Sequence, residues 1–348
     1  MGTFRKWALL GFLLFFAFAG PAAATDNPSG TTLYDTTLTG GNSTNYGIID
    51  NWSDFRDGIA GAGFTLVNAA GASIYTSGYN AYGIFATPWY AIAINAGLIQ
   101  TTGDTSFGIY GHMNATLANS GTIRTYGQSA WGLYGWNQSN LTNTATGAIY
   151  TYGAFSSGMR AEVSSPANNQ GLIQTEGDNS PGMEAYGTSS ATNSGTIRTL
   201  GDNSDGIYVD NNSTASNGNL VRTEGNFSSG MHAVNSVSAT NSGTIQTTGL
   251  GSYGMEASNT STVTNSGTIS TSSADAHGMS VSGALTVANS GTISTSGTNA
   301  YGMSVSNSLT ATNSGTIVTT GDGASGFYAA DTTTVVNSGT ITTSGENA

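Results

Sequence analysis

Apolar residues recur along most of this chain in short alternating runs. In residues 302–326 the runs are Met303 and Val305, then Leu309 and Ala311, then Ile317, separated by glycine and by Asn313-Ser314-Gly315. Alternation with period two predicts half-buried strands, and Gly and Asn-Ser-Gly predict the turns between them. The whole pattern then repeats. The apolar residue of a Gly-Thr-Ile step falls at Ile173, Ile197, Val221, Ile245, Ile269, Ile293, Ile317 and Ile341, each 24 residues after the last. Earlier copies stand at Ile74, Ile99, Ile123 and Ile149, with steps of 25, 24 and 26. A second column holds Met159, Met183, Met231, Met255, Met279 and Met303, and a third holds Asn at 169, 193, 217, 241, 265, 289, 313 and 337.

So strict a period marks a stacked repeat architecture. A single 24-residue unit lacks the apolar surface for a core, but stacked units pair each strand with its counterpart about 4.8 Å away and place like side chains on like. The predicted fold is all-β: a parallel β-helix (solenoid) of about 24-residue coils, roughly twelve of them, with the Ile and Met columns inside. Asn has the parity of the inward residues, so its amides can form an internal ladder. Helix is disfavoured by a repeat composed of Gly, Ser, Thr, Asn and Val.

Composition narrows the function. Only 7% of residues are charged, and the net charge is −12. With no basic stripe to meet phosphates, nucleic acid is excluded as a partner. Zero cysteines exclude a disulfide framework and thiolate metal sites. No cofactor-binding motif is present.

Taken in order, residues 1–24 read as a secretory signal peptide: Arg5 and Lys6 precede an apolar run from Ala8 to Ala19, and Ala22-Ala23-Ala24 offers a cleavage site. Residues 25–58 are polar and irregular and read as an N-terminal cap over the open strand edges. Residues 59–155 are degenerate coils and residues 156–348 are regular ones. Of the 33 aromatic residues, 19 fall in 46–155 and 7 in 156–348, so the N-terminal half is the expected contact surface. The last line, Thr343-Ser344-Gly345-Glu346-Asn347-Ala348, repeats Thr295 to Ala300 without a capping sequence, and the natural protein is expected to continue.

A signal peptide followed by Asn-Ser-Gly-Thr-Ile-x-Thr repeats resembles the passenger domain of Gram-negative autotransporters over roughly residues 59–348. The resemblance implies a right-handed coil, export to the cell surface or outer membrane, and often adhesion. The family's C-terminal outer-membrane barrel, whose strands would alternate over about ten residues, is not among these residues, and would be the chain's own or missing partner. The implied external partner is a host-cell or matrix glycan or protein.

On the Gly-Thr-Ile strand the residue after Ile points outward, giving a column with Tyr150, Gln174, Arg198 and Arg222. Two positions on, a second column holds Tyr126, Tyr152, Glu176 and Glu224. Arg198 and Arg222 would repel, and Glu176 and Glu224 can relieve them diagonally. These eight residues form the candidate contact surface: rings pack on sugars while amides and charges bond hydroxyls. Glu176 and Glu224 lie about 9–10 Å apart by strand spacing, near the carboxylate separation of inverting glycosidases, so a glycan-active enzyme on the same scaffold is the alternative. Two lesser readings are calcium held by turn aspartates such as Asp104, Asp178 and Asp202, and ordering of ice on Thr-rich faces. Asp and Asn suit turns without a metal, and the outward column is too mixed for a lattice match. His112, His232 and His277 are too far apart in the stack to share one site.

Overall fold

A computed structural model describes residues 25–348; the expected signal peptide lies outside the described residues. Among the described residues the chain forms 41 short strands, all paired in parallel, and each full coil gives one strand to each of three sheets. We name the sheets by the residues they bury. The Asn sheet has 14 strands, from Asp26–Asn27 to Thr334–Asn337; the Ile sheet has 14, from Thr32–Tyr34 to Thr340–Thr343; the Met sheet has 13, from Leu38–Thr39 to Phe327–Ala330. The molecule is thus a parallel β-solenoid of about thirteen coils. Residues 26–51, where a covering segment is expected from the sequence, already contribute strands to the Asn, Ile and Met sheets.

Stacking is in register. Ile245, Ile269 and Ile293 are direct cross-strand partners and fully buried. Met255, Met279 and Met303 stack likewise on the Met sheet. Each fully buried Ile contributes about 1.5–3 kcal/mol, and because the column is continuous the core is one thread along the axis. The Asn column closes the third side. Each Asn amide donates to the carboxamide oxygen of the next, from Asn169 through Asn193 and Asn217 to Asn241 at 2.8 Å per step. At the opposite corner, the inward Thr ending most Ile-sheet strands donates its hydroxyl across the turn, as Thr175 does to the Ser180 carbonyl at 2.7 Å, whereas the buried hydroxyls of Thr151, Thr199 and Thr223 find no partner within the protein. Glycine is required at the Gly177, Gly201 and Gly225 corner, because a Cβ on any of them would collide with the backbone carbonyl of the preceding coil.

One inward assignment is corrected. Leu309 has the parity of Ala311, yet it is 66% exposed, while Ser308 is buried. Most coils cross from the Met sheet to the Asn sheet through two left-handed residues, such as Asn259 and Thr260. The coils of Leu285 and Leu309 use one, Gly283 and Asn307 respectively. The saved residue turns Ala284 and Ser308 inward and extrudes the leucine that follows, leaving the 24-residue period intact.

Candidate functional site

The eight sequence-predicted residues all lie on the outer face of the Ile sheet, in two neighbouring columns. Tyr126 and Tyr152 stack at 4.5 Å with planes 7° apart, and Arg124 lies over the Tyr150 ring at 5.7 Å. Gln174 Nε2 donates to Glu176 at 2.9 Å. Glu224 takes both cations: its Oε1 accepts from Arg198 Nε at 2.8 Å and lies 2.9 Å from Arg222 Nε. The hydrogen bond from Arg198 holds the Glu224 carboxyl below its ordinary range. Glu224 therefore relieves the Arg198–Arg222 contact by direct pairing, while Glu176 accepts from Gln174 and acts on Arg198 only through its charge. The structure brings the eight together as three local groups on a shallow face. Toward the N-terminus this face dips gently between Asp50, Tyr75, Gln100 and Thr102.

The outer face of the Met sheet carries more chemistry, and sequence reasoning missed it. One column is formed by the residue before each Gly of the Gly-Met step: Tyr82, Phe107 and Trp131 stack at 4.9 and 4.7 Å. Beside it Phe85, Tyr110 and Tyr134 stack at 5.4 and 5.1 Å, and His112 lies on Trp136 at 4.3 Å. Burial pushes the Tyr110 phenol up to about 12 and lowers the His112 pKa. Rings stacked along the axis cover one another's faces and show solvent mainly their edges. The signal was readable in the same 24-residue columns, but Ser157 and Pro181 interrupt the first of them.

The aromatic ladder ends on Arg160. Its guanidinium sits 4.6 Å from the Trp131 ring centroid and 4.7 Å from that of Tyr186. Its Nε donates to Glu162 and its Nη1 donates to Glu184 at 2.8 Å. Burial raises the Glu184 pKa, and Arg160 opposes that rise. Farther along, Asp205 accepts from the Ser229 N–H at 2.7 Å and pairs with His232 Nδ1 at 2.9 Å, while Glu256 accepts from Ser229 Oγ at 2.8 Å. Burial alone would lower the His232 pKa, but the hydrogen bond and charge of Asp205 outweigh it and raise it to about 9.

The imidazolium is therefore favoured by folding. Its contribution is complete below the ordinary value of 6.5 and is lost as pH rises through about 9. Between about pH 6 and about pH 10 the parent chain should lose roughly 2–3 kcal/mol more stability than His232→Asn. Equal losses in urea titrations at the two pH values would remove this account.

The turn aspartates have a backbone role. Asp178 Oδ1 accepts from the Asp202 N–H at 2.9 Å, and Asp202 Oδ1 accepts from the Asn226 N–H at 2.8 Å, tying each corner to the next.

This architecture has known counterparts. Residues 36–220, 159–277 and 221–348 match the sequence family described as the BigA third pectate lyase-like domain. The chain belongs to that family. Its matches overlap because the repeat offers the family pattern more than one alignment along the same coils. Among solved structures, a chain of the cryo-EM structure of the Vag8–C1 inhibitor complex is similar, with a TM-score of 0.63 and 17% identity over 86% of this chain and 78% of that one. At that identity the likeness is one of fold. No curated protein matches the sequence significantly. The resemblance read from the repeats holds: the chain is a parallel β-helix of the autotransporter-passenger type.

Proposed function

We propose that this chain is an exported passenger displayed at the cell surface, where it binds a host-cell or matrix macromolecule without catalysis. The observation that carries the reading is the layout of its outer faces. Chemistry runs in columns along the axis, and Glu162, Glu184, Glu224 and Asp205 are each already engaged by a cation. Meanwhile Tyr34, Tyr46, Trp52, Phe55, Trp89 and Tyr90 in the N-terminal half are more than half exposed. Exposed aromatics rimmed by polar groups are the usual composition of contact surfaces. The similar solved chain comes from a complex with C1 inhibitor, a protein, which favours a ligand spread over a face above a small molecule in a cleft.

The pectate lyase-like name of the family favours a second reading, a glycan-active enzyme. The two separate cleanly. The exported chain should adhere to host cells or matrix and release no reducing ends or unsaturated uronides from polygalacturonate. Product release abolished by Glu176→Gln or Glu224→Gln would overturn the binding reading.

A further inference from the structure

We propose that the corner between the Met and Asn sheets at Trp89 and Tyr90 is a binding site for a neutral glycan. The inference rests on the surface-binding reading and names a ligand class and a place for it.

The case begins with backbone strain. Trp89 and Tyr90 are consecutive left-handed residues, with φ of 67° and 57°. On later coils this two-residue turn is filled by Asn211 and Asn212, by Asn235 and Ser236, or by Asn259 and Thr260, and on one by Val163 and Ser164; among the described residues no other coil places two aromatic rings there. A bulky side chain there costs about 1–2 kcal/mol per residue. Burial does not offset it, because Trp89 is 56% and Tyr90 70% exposed. Single exposed left-handed aromatics also occur at Phe155 and Phe227, so what sets this corner apart is two such rings side by side, and a doubled outlier kept without a packing return points to function.

The surroundings point to the ligand. The Tyr90 N–H donates to the Met113 carbonyl at 3.2 Å, which stacks this turn on that of Met113 and Asn114. The next coil adds Asn137 and Gln138, whose backbone N–H of Gln138 donates to the Val163 carbonyl. Asn235 at the equivalent position of a later coil donates its amide to Asp210. Among the described residues, by contrast, the side-chain amides of Asn114, Asn137 and Gln138 make no hydrogen bond within the protein. On the other flank Gly63 leaves open space: a Cβ there would meet only the Trp89 carbonyl, at 3.4 Å.

The rings of the Met-sheet ladder cover one another, whereas among the described residues neither Trp89 nor Tyr90 stacks on another ring. Free ring faces accept the C–H face of a pyranose, and free amides bond its hydroxyls. The span from Trp89 to Gln138 is two coils, about 10 Å, the length of a disaccharide. The turn residues 62–64, 88–91, 113–114 and 137–138 carry no charge, on a chain of net charge −12. That composition disfavours polyanionic glycans and suits a neutral one.

The test uses the exported chain on an array of neutral glycans ending in glucose, galactose, mannose or N-acetylglucosamine, with polygalacturonate and heparin as anionic probes, alongside host-cell adhesion. Trp89→Asn with Tyr90→Asn should lower neutral-glycan binding by about tenfold or more. The same variant should unfold at the parent's temperature or higher, because asparagine suits the left-handed turn. Phe155→Ala and Phe227→Ala, at exposed left-handed positions of another corner, should leave binding unchanged. Undiminished glycan binding by the double variant overturns the site. So does cell adhesion that falls in the double variant while no neutral glycan binds, since the corner would then take a protein. Adhesion unaffected by the variant removes the corner and leaves the surface-binding reading standing. A chain that binds neither cells nor glycans ends both.

Discussion

Arg160→Met lowers the stability of the central coils by about 3–5 kcal/mol, the penalty expected when one partner of a buried ion pair is removed. Its side chain is 24% exposed and that of Glu184 only 9%, so the loss leaves a nearly buried carboxylate against Tyr186 and Tyr208 with no cation. Methionine keeps the packing between Trp131 and Tyr186, so the deficit reports the charge. Glu184→Gln added to Arg160→Met should restore much of it, because the uncompensated charge is then gone. Urea unfolding of the single and double variants checks this. A double variant as unstable as Arg160→Met alone would mean that ring packing, and not charge, holds this face.

Asn193→Ala should cost about 3 kcal/mol or more. The fully buried Asn193 amide donates to Asn217 at 2.8 Å, to the Gly195 carbonyl at 3.1 Å and to the Leu220 carbonyl at 3.2 Å, while its oxygen accepts from Asn169 at 2.8 Å. Alanine leaves several of these groups buried and unpaired, each at about 1–3 kcal/mol. The damage should be local, because each coil touches only its neighbours. Hydrogen exchange should accelerate in the coils around residues 169–220 while those near Ile293 and Ile317 keep their protection. Uniform loss of protection along the chain would show instead that the solenoid opens as one unit.

The period made the fold legible. Fixed steps can only be satisfied by in-register stacking, so the buried Ile, Met and Asn columns follow from spacing alone. Spacing could not reveal how each coil turns its corners. Leu285 and Leu309 protrude because their coils use one left-handed residue where others use two, and both solutions take the same number of residues. The outer face of the Ile sheet was readable because its columns are unbroken. On the Met sheet the 26-residue step from Trp131 to Ser157, followed by Pro181, breaks an aromatic column just where Arg160 takes over, so the cluster emerges only in three dimensions. The strain at Trp89 and Tyr90 was likewise invisible, because two aromatics among many carry no sign of a left-handed backbone.

The three parallel sheets also set how the molecule carries load. Every inter-coil hydrogen bond points along the axis, so tension between the two ends is shared across all the bonds of each interface, which must fail together. A sideways pull on one strand meets the same bonds singly. An anchored molecule with its ligand near the far end would therefore withstand drag along its length and yield first to peeling.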